Sequence, residues 1–160
     1  MKNIISLLSL AGFLFSNQTM SQQTAGLSEC KAHLSVIKEK ISEYKEFCGN
    51  LKTVSLQEIR SNSTSYAEDL DKLNPVLTAR NFSDFSVRYK EGTEISSSAK
   101  VKTISEVYFT INKLIAIIRN KVVLLNEVSS VEELTKNLAS IQQYEQKLID
   151  YLNLNIENIE

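Results

Sequence analysis

Residues 100–126, KVKTISEVYFTINKLIAIIRNKVVLLN, decide how this chain folds. Val101, Ile104, Tyr108, Ile111, Ile115, Ile118, Val122 and Leu125 recur at alternating steps of three and four, the spacing of one helix face. Val107, Leu114, Ile117, Val123 and Leu124 flank that seam and widen it. A two-stranded coiled coil needs only a narrow stripe. A stripe this broad has to be covered from more than one side, so the segment reads as the most buried helix of a globular bundle. Lys113, Arg119 and Lys121 interrupt it, and each is costly in lipid, so it does not read as a bilayer span.

Helices with the same spacing are expected on both sides. Downstream, Ser130-Val131-Glu132-Glu133 has the form of a capping box, in which a serine and a glutamate satisfy each other's backbone N–H groups. Val131, Leu134, Leu138, Ile141, Leu148 and Leu152 line the helix that follows. Glu145 interrupts that seam, and Tyr144 beside it is expected to fill the gap. Upstream, Ser55 and Glu58 form another such box. Leu56, Ile59, Ser63, Tyr66, Leu70 and Leu73 follow at helical spacing, and Pro75 ends the helix near Asn74. The first helix carries Leu27, Cys30, Leu34, Ile37, Ile41, Tyr44, Cys48 and Leu51, with Ser28 as its expected N-cap and Gly49 as its left-handed terminator. The breaks near Gly49 and Ser129 are short, which makes antiparallel neighbours of the first two helices and of the last two. The predicted fold is all-α, a four-helix bundle built from two antiparallel helical hairpins joined by a long crossover segment.

Before the first helix lies Met1-Lys2-Asn3 and an apolar run from Ile4 to Phe15, the layout of a secretory signal peptide. The small residues of Thr19-Met20-Ser21 favour cleavage after Ser21 over cleavage after Ser16. The expected organisation is a signal peptide over 1–21 and one helical-bundle domain over 22–160, secreted or periplasmic, with no membrane span in the mature chain. The net charge is -1, with acids and bases intermixed. Without a basic stripe to displace counterions, nucleic acid is not an expected partner.

Export places Cys30 and Cys48 in an oxidising compartment. On one helix, 18 residues apart, their Cα atoms are separated by about 27 Å, whereas a disulfide needs less than about 7 Å. Three outcomes are open: two buried thiols, a bond across a homodimer, or a Cys30–Cys48 disulfide made by unwinding the chain before Ser35. The only histidine is His33, one turn after Glu29, and it reads as an exposed helix residue in an i,i+4 pair. Glu68-Asp69-Leu70-Asp71 reads as a solvated face, since the spacing and glycine of a calcium loop are missing. No phosphate loop, Cys-x-x-Cys pair or zinc-protease motif occurs, so no catalytic residue, metal or cofactor is expected. Asn17, Asn62 and Asn81 begin glycosylation sequons, as often as chance supplies them in a chain rich in Asn, Ser and Thr.

Residues 76–99 form a connection far longer than the 2–8 residues usual in bundles. Residues 91–98 are polar and read as a linker. Phe82, Phe85, Val87 and Tyr89 are instead interleaved with Arg80, Arg88 and Lys90, and Phe85, Val87 and Tyr89 alternate as in an extended strand. Aromatic residues beside arginine are enriched in binding hot spots. Phe82, Phe85, Arg88 and Tyr89 are therefore the candidate partner contacts; the plainer reading is a strap laid across the bundle. The expected function is non-catalytic binding of another protein. The alternative is a carrier of a small apolar ligand held between the helices.

Overall fold

The computed structural model of the chain describes residues 4–50, 55–73, 86–89 and 101–159, and in the first helix it describes side chains from Gly26 onward. Leu51, Pro75, Asn81, Phe82, Phe85 and residues 91–98 lie outside the described residues. The architecture is an all-α four-helix bundle with one small two-stranded sheet.

Helix α1 runs unbroken over Ile4–Asn50. Its expected seam faces inward: Cys30, Leu34, Ile37, Ile41 and Cys48 are buried, with Leu27 and Tyr44 packed against them. Ser28 is exposed inside this helix and starts nothing. The stretch before it contains no proline, so no backbone N–H is missing and the helix continues through. Gly49 likewise lies within the last turn, not beyond it.

Helix α2 spans Leu56–Leu73. Its capping box forms as expected, with Glu58 N donating to Ser55 Oγ at 3.3 Å and Ser55 N to Glu58 Oε2 at 3.0 Å. Ile59, Tyr66 and Leu70 are buried, and so is Ser63, whose hydroxyl donates to the Ile59 carbonyl at 2.6 Å. That bond satisfies the hydroxyl inside its own helix, which lets a polar residue sit on the seam.

Helix α3 spans Ile104–Leu124 and ends in a 3₁₀ turn, Leu125–Glu127. It starts later than its periodicity suggested, and Val101 is an exposed strand residue outside it. Thr103 sets the boundary: Glu106 N donates to its Oγ1 at 3.2 Å, and Thr103 N donates back to Glu106 Oε2 at 2.7 Å. Such a cap contributes about 1 kcal/mol. The seam from Ile104 through Tyr108, Ile111, Ile115 and Ile118 to Val122 is buried, and Leu125 is buried in the turn.

Helix α4 spans Val131–Asn158. Glu133 N donates to Ser130 Oγ at 3.2 Å, but the Glu133 carboxylate accepts from Ser129 N at 3.2 Å and not from Ser130 N. The reciprocal half of the expected box is thus shifted by one residue. Val131, at the first helical position, is exposed, whereas Leu134, Leu138, Ile141, Leu148 and Leu152 are buried.

The helices form a ring. The most extensive pairing is α1 with α4, followed by α4 with α3 and α3 with α2. Helix α2 closes on α1 through Tyr44 and Tyr66, whose rings stack at 3.8 Å. Only residues 125–130 join α3 to α4, which forces these two packed helices to run antiparallel.

Part of the crossover is a strap. Strand β1 (Ser86–Arg88) pairs antiparallel with β2 (Val101–Thr103), in the register Ser86↔Thr103, Val87↔Lys102 and Arg88↔Val101. Val87 also bridges to Ile159, just past the end of α4. In an extended chain alternate side chains share a face. Val87 and Tyr89 accordingly point inward, while Ser86 and Arg88 point out.

Candidate functional site

Of the four candidate contacts in the crossover, two can be placed. Arg88 is exposed. Tyr89 is only 4% exposed, and its hydroxyl donates to Asn155 Oδ1 on α4 at 2.5 Å. The Asn155 side chain is held in turn by its own amide, which donates to the Tyr151 carbonyl at 2.6 Å. Tyr89 therefore belongs to the core. Its alternation with Val87, which suggested an extended edge, is also what carries it inward.

A second polar cluster lies deeper, where α1, α2 and α4 meet. Glu145 does not turn away from the seam. It stands four residues after Ile141 and three before Leu148, so its side chain enters the core and is 0% exposed. Tyr66 OH donates to its Oε1 at 2.6 Å, and Cys48 Sγ lies 3.8 Å from the same oxygen. Its Oε2 is buried with no hydrogen-bond partner among the described residues. Burial pushes the Glu145 carboxyl up to about 7, against the opposing pull of the Tyr66 and Cys48 hydrogen bonds and the Lys45 charge. Burial and the nearby carboxylate also raise the Cys48 thiol and the Tyr66 phenol. Tyr144 does not fill the gap: it is half-buried beneath the ammonium groups of Lys121, 5.2 Å from the ring centre, and Lys147, 4.8 Å away.

A third cluster joins α1 to α3. His33 Nδ1 is 2.8 Å from Tyr108 OH, the two rings stack with centroids 5.6 Å apart, and Cys30 Sγ is 3.9 Å from the same hydroxyl. His33 is thus a half-buried packing residue rather than an exposed one. Burial lowers its pKa and raises that of the Cys30 thiol. A protonated thiol with no exposed surface is not a nucleophile.

Both cysteines are free and buried. The fold-back that would bond Cys30 to Cys48 required unwinding before Ser35, and α1 is helical throughout that region. Native protein should therefore resist maleimide at both positions. After denaturation without reductant, two thiols per chain should label. Denatured protein without free thiols would overturn this.

The acidic stretch on α2 is more than a solvated face. Asp71 receives both Arg119 Nε at 2.6 Å and Arg119 Nη2 at 2.9 Å, which ties α2 to α3. Asp69 accepts from Lys72 at 2.7 Å and from Tyr44 OH. These partners hold both carboxyls below the usual carboxylate range. Among the described residues, no group of three or more His, Cys, Asp or Glu side chains could hold a metal ion, and no helix is long and apolar enough to cross a membrane.

Two features of the described surface bear on binding. One is a cleft of about 380 Å³ lined by Val36, Lys40, Tyr44, Asp69, Lys72 and Leu73, all exposed or half-buried. The other is the outward face of α3, where Phe109 is 70%, Leu124 50% and Val123 39% exposed. Phe109 lay on neither the seam nor its flanks, and that was its signal: a large aromatic on the wrong side of an otherwise orderly helix. Glu145 also had a signal, as an acid at a seam position. Among the described residues, the bundle buries Cys30, Cys48 and Glu145 and leaves Phe109, Val123 and Leu124 exposed on the outer side of α3. The chain matches no known protein family, no curated protein and no solved structure.

Proposed function

We propose that this chain is an exported helical bundle that binds another protein and catalyses no reaction. The observation that carries the reading is the distribution of side chains. Among the described residues, the thiols of Cys30 and Cys48 and the carboxyl of Glu145 have no exposed surface, while Phe109, Val123 and Leu124 stand in solvent on one helix face. A catalytic group must touch its substrate. Large apolar side chains left exposed along one helix face are candidates for contact with a partner. Arg88 remains an exposed candidate contact from the crossover. Export is supported by Lys2 and the apolar run Ile4–Phe15.

Immobilised chain is expected to retain a specific protein from the exported fraction of its source cell. Phe109→Asp or Arg88→Ala should weaken retention without changing the melting temperature. The exported protein itself should begin at Gln22. Retention of no protein, together with recovery of an apolar small molecule by solvent extraction, would favour the carrier reading.

A further inference from the structure

We propose that the outward face of α3 pairs with the same face of a second copy of this chain, the two helices running antiparallel about Ala116. The inference rests on reading that face as a protein contact surface.

Phe109, Lys113, Ala116, Asn120, Val123 and Leu124 are all exposed, and their spacing places them on one side of the helix. Glu106, at the start of this face, is engaged in the Thr103 cap. The remaining order is apolar, polar, small, polar, apolar. A two-fold contact requires a patch complementary to itself, and this order reads the same in either direction.

The register follows from the numbering. Phe109 lies seven residues before Ala116, and Val123 lies seven after it. With Ala116 opposite Ala116 of the second copy, Phe109 meets Val123 and Leu124 of that copy at both ends. Lys113 falls beside Asn120 of the second copy, whose carbonyl oxygen accepts from the ammonium group. The two Lys113 charges are then about 10 Å apart along the axis, a separation that physiological salt screens. The alanine methyl at the centre lets the axes approach to about 8 Å, so the bulky ends interdigitate. An interface one helix wide belongs to the small class, below about 1,200 Å² in total, and so forms a reversible dimer. A head-to-tail arrangement would leave the palindrome unmatched and propagate into filaments.

Sedimentation of the purified chain up to about 500 μM tests this, across the range in which weak complexes assemble. Wild type should pass from monomer to dimer as concentration rises. Phe109→Asp should remain monomeric throughout, with an unchanged melting temperature. Under mild oxidation Ala116→Cys should give a disulfide-linked dimer; Phe109→Cys should not, because its two copies sit about 21 Å apart. A monomeric wild type, a dimer indifferent to Phe109→Asp, or cross-linking through Phe109→Cys in place of Ala116→Cys would each overturn the proposal. So would a large fall in melting temperature for Phe109→Asp, which would mean that the chain covers this face itself. A monomeric wild type whose capture of another protein is lost in Phe109→Asp would refute the dimer and leave the binding function standing.

Discussion

Ile115→Asp is expected to lower the melting temperature by roughly 10 °C or more, the size that corresponds to about 3 kcal/mol in a domain of this length. Ile115 is 5% exposed at the middle of α3, inside a seam of Ile111, Ile118 and Tyr108. A carboxylate there loses its water while Arg119, one turn on, is already engaged by Asp71, and the change also removes the apolar surface of an isoleucine. Phe109, six residues earlier on the same helix, supplies the contrast, because Phe109→Asp places the same charge on the outward face. Thermal melts of the two variants, followed by far-ultraviolet circular dichroism, read out the orientation of α3 directly. Equal melting temperatures for Ile115→Asp and wild type would reverse the assignment of its inner and outer faces.

The second large effect is a dependence of stability on pH centred on Glu145. Its ordinary value of 4.5 applies to the unfolded chain, and burial in the fold raises it to about 7. Below the lower value both states are protonated and the group contributes no pH dependence. Between the two values the unfolded chain releases a proton that the folded chain keeps, so stability falls as pH rises. Above the higher value the loss is complete, at about 3 kcal/mol. Tyr66 and Cys48, which face the carboxyl, are both raised and stay protonated throughout this window. His33 acts in the opposite direction: its folded value is lowered, so the stability it contributes is lost as pH falls below the usual histidine range. Asp69 and Asp71 also oppose the effect, but only under more acidic conditions, and exposure makes their contributions small. Glu145→Gln isolates the carboxyl, since glutamine keeps the shape and can still accept from Tyr66. Urea unfolding at about pH 5 and about pH 8 should show wild type losing stability relative to Glu145→Gln as pH rises. Parallel pH profiles for the two proteins would mean that Glu145 is hydrated in the fold.

The helices were legible because their apolar residues recur at helical spacing over five or more turns, and because Ser55–Glu58 forms a cap that depends on local residues alone. Thr103–Glu106 was equally local but was obscured by Val101, which happens to continue the apolar spacing while belonging to a strand. Where the sequence misled, the deciding interaction lay far along the chain. Nothing near Glu145 shows that Tyr66 and Cys48 will meet it, so a polar residue on the seam reads as an interruption. Tyr89 has the composition of a contact residue, and its partner Asn155 lies on a distant helix, so nothing local shows that the Val87–Tyr89 side of the strand meets the core. His33 resembled an exposed helix residue because its stacking partner, Tyr108, is 75 positions away.

The pairing of α1 with α4, described above as the broadest in the ring, also governs when the chain can fold. Cys48 and Glu145 are 97 residues apart. The apolar face of α1 therefore finds its main cover only after α4 has been synthesised. Contacts this distant in sequence have to close a long loop before they contribute, which slows folding relative to a bundle whose neighbours in space are neighbours in the chain. During that interval Leu34, Ile37 and Ile41 lack their final neighbours, and the apolar stripe they form is left without its cover.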